Sequence, residues 1–271
     1  MYFGVEDRYS AGANQKPDET RLDLVHKNTE IYKSIIPEIA SRNFAGILLI
    51  VSNPVDILTY VALRLSGLPE NRVIGSGTVL DTARMKYALG QHLQVDSRSV
   101  HSYIVGEHGD SEIAVLSSTN ISGIPLDAFC EMRGYENPRE KLDEIAESVK
   151  NSAYDIIAKK QATYYGIAMS VRRICACIIR NERSILPVSS MMHGEYGIHN
   201  IALSMPAILG ADGVETHVPV SLNEDETTRL IQSAKTLGEI AQELGAKPGS
   251  FGKMFGASLW QCGAEDAIIR P

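Results

Sequence analysis

Long apolar runs are missing from this 271-residue sequence. None reaches the ~18 residues needed to span a bilayer, so no membrane partner is expected. The opening residues 1–10 lack an apolar core and carry Glu6, Asp7 and Arg8, which argues against a secretory signal. Cysteine is scarce: only Cys130, Cys175, Cys177 and Cys262 occur. Cys175 and Cys177 lie two apart in a helical pattern and point to different faces, which suits neither a disulfide nor zinc. Reduced thiols in a cytoplasm are expected. Basic charge is in deficit, with 26 Lys and Arg against 33 Asp and Glu and a net charge of −7. That excludes a positive field of the kind that attracts nucleic acid. No repeat or low-complexity block is present.

What the chain does have is a distinctive turn: Val105, Gly106, Glu107, His108, Gly109, Asp110, Ser111. A strand-like run over 101–105 leads in and an apolar run over 113–116 leads out. The pattern reads as strand, tight turn, strand, with an imidazole at the bend. The glycines allow a sharp turn and leave room beside the ring. An imidazole titrates near ~6.5 and exchanges a proton readily at neutral pH. A polar turn histidine with no role is the plainer alternative. A metal role for Glu107 and His108 lacks a third and fourth ligand at suitable spacing, so no metal is expected.

In chain order, residues 1–10 form no clear element. A polar stretch rich in small residues over 11–21 reads as a loop entering a helix near Thr20, with Leu22, Val25, Asn28, Ile31 and Ile35 at helical steps. Residues 47–51 are continuously apolar, as in a strand buried on both faces. The run stops at Ser52, Asn53 and Pro54. Asp56 then precedes a second helix. Val73, Ile74 and Gly75 form another short strand, and a helix carrying Asp81 and Arg84 follows at once. Alternating helix and strand implies a parallel sheet. Beyond His108, helical stripes start near Asn137 and Tyr164. Glycine-split apolar runs over 184–222 suggest antiparallel strands and hairpins. Asn223 with Glu226 caps a last helix ending at Gly245, and a loosely held tail follows.

In parallel sheets ligands gather beyond the carboxyl ends of the strands. Asn53, Asp81 and Arg84 all fall at such places. An aspartate beside a histidine fixes its tautomer, and an arginine fork suits a carboxylate. Each residue also has a plainer reading: a turn asparagine, a helix-start charge, half of a surface ion pair. Together with the motifs at 12–17 (GANQKP), 19–24 (ETRLDL), 51–56 (VSNPVD), 80–84 (LDTAR), 106–111 (GEHGDS), 162–168 (ATYYGIA) and 186–190 (LPVSS), they resemble the L-lactate dehydrogenases, particularly the bacterial ones. The resemblance runs from about Ala11 to Leu244.

The resemblance implies NAD as cofactor and pyruvate/L-lactate as substrates. It makes His108 the proton donor to the ketone, Asp81 its orienting partner, Arg84 the clamp on the substrate carboxylate and Arg21 the group that polarises the carbonyl. Asn53 bonds the substrate oxygen, and Thr163 lines the pocket. Gln15 is neutral where the related malate dehydrogenases have an arginine, which favours pyruvate over oxaloacetate; a buried, unpaired second carboxylate costs about several kcal/mol. The nicotinamide side falls to Gly12, Ala13, Ser34, Val51, Ser52, Asn53 and Ser76. Lys86 and His101 match positions that bind fructose 1,6-bisphosphate across a subunit contact in activated members, with lysine where arginine is common. Tetramers are the family habit.

The match has a gap. No strand, G-x-G-x-x-G turn and acidic residue of the kind that holds the adenosine half of NAD precedes Ala11. The expected fold is therefore α/β: a truncated, Rossmann-like parallel sheet over 1–76, then an α+β substrate domain with antiparallel strands over 77–245, then a tail over 246–271 with no family counterpart. An uncovered edge beside the 47–51 strand, poor NAD binding and slow turnover are the expected consequences. Alternative readings are a catalytically silent partner of full-length subunits, and a malate or other 2-hydroxyacid dehydrogenase.

Overall fold

The computed structural model of the chain describes residues 8–9, 12–13, 21–160 and 164–244. Strand β1 (Arg8–Tyr9) leads to helix α1 (Arg21–Ala40), β2 (Leu48–Ile50), α2 (Val55–Ser66), β3 (Val73–Gly75) and α3 (Val79–Leu93). Short strands follow: β4 (Val100–His101), β5 (Ile104–Val105), β6 (Ile113–Ala114), β7 (Asn120–Ile121) and β8 (Ile124–Pro125). Helices α4 (Leu126–Met132), α5 (Pro138–Lys160) and α6 (Tyr165–Ile179) precede β9 (Ser184–His193), β10 (His199–Gly210), β11 (Gly213–His217) and α7 (Glu224–Glu243). The mixed α/β architecture, with a parallel first part and antiparallel later strands, agrees with the sequence reading.

The parallel and antiparallel parts belong to one six-stranded sheet, ordered β1-β2-β3-β9-β10-β11. β1, β2 and β3 pair in parallel, and β9, β10 and β11 form an antiparallel meander. The join is a single antiparallel pairing, Gly75 with Ser189. Glycine is needed there because a Cβ on Gly75 would lie 2.8 Å from the Ser189 Cβ and collide with the Thr59 hydroxyl. Two residues on, Gly77 has φ +52 and passes within 2.6 Å (from an added Cβ) of the Ser189 amide.

The continuous apolar run of β2 is covered on both faces, as its composition requires. Leu48 and Ile50 join the core built with α1, α2 and α7, whereas Leu49 points the other way, into a core with Ile174, Cys177 and Ile178 of α6. A third core gathers α3, α4 and α5 around Leu89, Phe129 and Leu142. The described cysteines, Cys130, Cys175 and Cys177, are free and buried.

Four expectations need correction. The start of the chain does contain an element, because Arg8 and Tyr9 pair with Leu49 and Ile50. Two residues are too short to show a period, so only the partner strand reveals them. The same pairing covers the edge of β2 that was expected to stand open. Asp56 lies inside the first turn of α2, fully buried, rather than ahead of it. The run over 101–105 is also not one strand: β4 pairs with β7, while β5 pairs with β6. The tail from 245 onward lies outside the described residues.

Gly75→Ala is expected to lower stability by about 1–3 kcal/mol through overpacking at the join. A thermal melt unchanged from the parent would show that the close strand approach is not needed.

Candidate active site

The β5–β6 hairpin holds His108 at its bend. Gly106 has φ +91 and Gly109 φ +134, conformations that side-chain-bearing residues rarely adopt. Gly106 exchanges two backbone hydrogen bonds with Ser204 of β10, at 2.9 and 3.1 Å. The backbone N–H of His108 donates to Asp56 Oδ2 at 2.7 Å, and Ser204 Oγ donates to Asp56 Oδ1 at 2.9 Å. The turn is thus tied at once to the long antiparallel strand and to α2. Ser233 of α7 supports it from another side, accepting from the Glu107 amide at 3.0 Å.

Helix α3 supplies the partner of the imidazole. Thr78 donates its hydroxyl to the Ile104 carbonyl at 2.5 Å, and Thr82 accepts from the Ile104 amide at 2.9 Å. Two hydroxyls, four residues apart and so on one face, bracket the same residue of β5. That fixes the helix beside the hairpin and brings Asp81 Oδ2 to 2.6 Å from His108 Nδ1. The other carboxylate oxygen of Asp81 lies 3.3 Å from Arg84 Nη1. Asp81 is nearly inaccessible, at 4% side-chain exposure, while His108 retains 23%. Nδ1 is therefore committed to Asp81, and Nε2 is the nitrogen left for a reacting group.

Burial opposes the charged form of His108, but the Asp81 charge and hydrogen bond, with Asp56 and Glu112 behind them, lift its pKa to about 9. Burial also works against ionised Asp81, yet His108 and then Arg84 hold it below the usual carboxylate value. Asp56 is raised by burial, against the pull of its hydrogen bonds. Glu112 was not singled out by sequence reasoning. It is buried, and burial followed by the Asp81 charge lifts it to about 8. Asp81, His108 and Glu112 present atoms within 4.8 Å of one another. The hydrogen bond makes Asp81 and His108 a proton-sharing pair, with Glu112 beside them as a neighbouring carboxyl.

A second group gathers at the carboxyl ends of the parallel strands. Asn28 of α1 is fully buried; its Oδ1 accepts from the Ala13 amide and its Nδ2 donates to the Asn53 carbonyl, each at 2.7 Å. Asn28 thereby ties the segment after β1 to the turn after β2. In the sequence it reads only as one position of a helical stripe. A Cβ on Gly12 would sit 3.2 Å from that of Ser52, so Gly12 packs closely over the same turn. The Ser76 amide donates to the Ile50 carbonyl at 2.8 Å, which extends the β2–β3 pairing to the strand ends. Gly12, Ala13, Val51, Ser52, Asn53 and Ser76 thus border these ends. Ser34 stands apart on an exposed part of α1, its hydroxyl bonded to the Ile31 carbonyl of its own helix.

Of the remaining candidates, Arg21 opens α1, and its side chain lies outside what is described; so do Gln15 and Thr163. Lys86 is half-buried on α3, and burial lowers its pKa. His101 is exposed on β4, paired through its backbone with Asn120.

An Asp–His proton pair beside a guanidinium, set near the carboxyl ends of a parallel sheet, is the build of an α/β enzyme that moves a proton on a bound anionic substrate. Comparison with known proteins gives the family. Residues 9–75 match the NAD binding domain of the lactate/malate dehydrogenases, and residues 78–247 match their alpha/beta C-terminal domain. The chain belongs to the lactate/malate dehydrogenase family. It is 54% identical over 235 residues to an L-lactate dehydrogenase of Acetivibrio thermocellus, covering 87% of this chain and 74% of that one. It is 52% identical to L-lactate dehydrogenase 1 of Clostridium acetobutylicum, covering 85% and 74%. The structure superposes on the minor L-lactate dehydrogenase of Enterococcus mundtii in its ligands-bound form with a TM-score of 0.83 at 44% identity, covering 89% of this chain and 75% of that one. The chain spans about three quarters of the length of these relatives.

The raised pKa of His108 is a stability statement. A group lifted from 6.5 to about 9 contributes stability that is complete below pH 6.5 and is lost as pH rises through about 9. In a histidine NMR titration the His108 imidazole should stay protonated to near pH 9, and Asp81→Asn should drop it to the ordinary range or below. An imidazole titrating near 6.5 in both proteins would show that Asp81 does not hold the proton.

Proposed function

We propose that the chain is an NAD-dependent L-lactate dehydrogenase that interconverts pyruvate and L-lactate. The observation that carries this reading is the Asp81–His108 contact of 2.6 Å with Arg84 beside it. When bound, NADH supplies the hydride for the C2 carbon of pyruvate. His108 donates its Nε2 proton to the ketone oxygen, and the neutral imidazole takes a proton back from the lactate hydroxyl in the reverse direction. Asp81 holds the ring and stabilises the imidazolium. Arg84 holds the substrate carboxylate through paired N–H donors. Arg21, at the start of α1, polarises the carbonyl, and its field strengthens as water leaves. Asn53 bonds the reacting oxygen and Thr163 lines the pocket.

The nicotinamide end of NAD is held at the strand ends by Gly12, Ala13, Val51, Ser52, Asn53 and Ser76, and Ser34 meets the cofactor from its exposed place on α1. Support comes from the close packing of Gly12 over Ser52 at the strand ends, where a side chain on residue 12 would intrude. Residues 1–76 form the cofactor side and residues 77–245 the catalytic side. Gln15 decides for pyruvate, since it offers no charge to a second carboxylate. The same reading makes the protein a cytoplasmic homotetramer at the fermentative end of glycolysis. In it Lys86 and His101 take the phosphates of fructose 1,6-bisphosphate.

The purified chain is expected to oxidise NADH with pyruvate far faster than with oxaloacetate or branched 2-oxo acids. His108→Gln should lower that rate by on the order of 10²–10⁴-fold, whereas Arg84→Gln should act mainly through KM. Equal rates with pyruvate and oxaloacetate would defeat the substrate assignment, and a His108→Gln rate equal to the parent's would defeat the mechanism.

A further inference from the structure

Glu112 immediately precedes β6, two residues after Asp110 of the turn, and it faces inward. Its residue exposure is 5%, and its Oε1 has no hydrogen-bond partner among the described residues. A bare carboxylate oxygen in such a place is costly unless the group keeps its proton. Its surroundings have mixed sign. Asp81 of α3 disfavours its ionisation, and His108 and Lys150 of α5 favour it. Around His108 itself stand Asp81, Asp56 of α2 and Glu112, with Arg84 on the far side of Asp81.

Two carboxyl groups sharing a site do not both ionise easily, and the one with fewer donors keeps its proton longer. Asp81 has His108 and Arg84 as partners, whereas Glu112 accepts from neither. Glu112 is therefore the carboxyl that stays neutral. We propose that Glu112 is a positioning residue for the His108 proton: a buried acid whose ionisation in mildly alkaline solution binds that proton more tightly and widens the range over which His108 can donate it. The step is a simple titration. The carboxyl proton of Glu112 leaves to solvent, the imidazolium keeps its own, and the new negative charge within 4.8 Å raises the imidazole's affinity. The inference rests on the reading of His108 as proton donor, but its effect on the imidazole can be measured without turnover.

The test compares the parent chain with Glu112→Gln, Glu112→Asp and Lys150→Met. Two quantities are followed against pH: kcat/KM for pyruvate reduction, and the His108 imidazole titration by NMR without cofactor. Glu112→Gln should move the alkaline limb of the rate profile and the imidazole titration to lower pH, both by at least about half a unit. Glu112→Asp should restore part of the shift. Lys150→Met, a change on a half-buried helix position, should give a smaller shift in the same direction, because Glu112 then ionises later. It serves if Glu112→Gln does not fold. A merely structural Glu112 would lower the rate at every pH and leave both midpoints in place, which would overturn the proposal; so would an unmoved imidazole titration in Lys150→Met where Glu112→Gln does not fold. A shifted imidazole in a chain that never reduces pyruvate would instead count against the functional reading alone.

Discussion

The hydrogen bond between Asp81 and His108 joins two side chains that the covalent chain places 27 positions apart, and much of the described architecture serves to hold them at 2.6 Å. Neither group has freedom to search for the other. Thr78 and Thr82 lock α3 to the Ile104 backbone, which sets the carboxylate. Asp56 and Ser204 lock the backbone of the turn, which sets the imidazole. Each lock is a hydrogen bond made where water is largely excluded, so losing one leaves a buried donor or acceptor unsatisfied. That penalty keeps the hairpin from relaxing away from the helix.

The same burial creates an electrostatic problem. Asp81, Asp56 and Glu112 could bring three negative charges to the His108 imidazole, against one imidazolium and one guanidinium. Full ionisation of all of them in a site this dry would be strongly unfavourable. The arrangement avoids it by unequal environments. Asp81 receives the direct partners and stays ionised, while Asp56 and Glu112 are pushed toward their neutral forms by desolvation. Environments that drive like groups apart in proton affinity are the means by which a site assigns acid and base roles.

The turn around His108, the β2 and β3 strands, the Asp81–Arg84 face of α3 and the Asn223–Glu226 capping box were all legible in the sequence, because each is a local pattern. Glycine on either side of a histidine, a continuous apolar run and a three-residue spacing need no partner to be read. What stayed hidden depends on a distant segment. β1 exists only because β2 offers an edge. Asn28 looks like part of an apolar stripe until the Ala13 amide and the Asn53 carbonyl are seen to meet on its side chain. Glu112 carried one signal that periodicity overlooks, an acidic residue directly before a strand whose first member, Ile113, is fully buried.

The least legible feature is the joining of the parallel and antiparallel strands into one sheet, and it bears most directly on the chemistry proposed. Reduction of a ketone needs a hydride at carbon and a proton at the adjacent oxygen, from opposite partners, within a single bond length's tolerance. In the reaction proposed, the strand ends bordered by Asn53 and Ser76 would serve the first delivery, and the turn carrying His108 the second. The turn is bridged to β10 through Gly106 and Ser204, β10 is paired to β9, and β9 meets β3 at Gly75. Asp56 completes a second route, from the start of α2 just beyond Asn53 straight to the His108 amide. A hinge between the two parts would make the distance from hydride to proton vary. Two independent tethers, one through the sheet and one through a buried carboxyl, hold it constant.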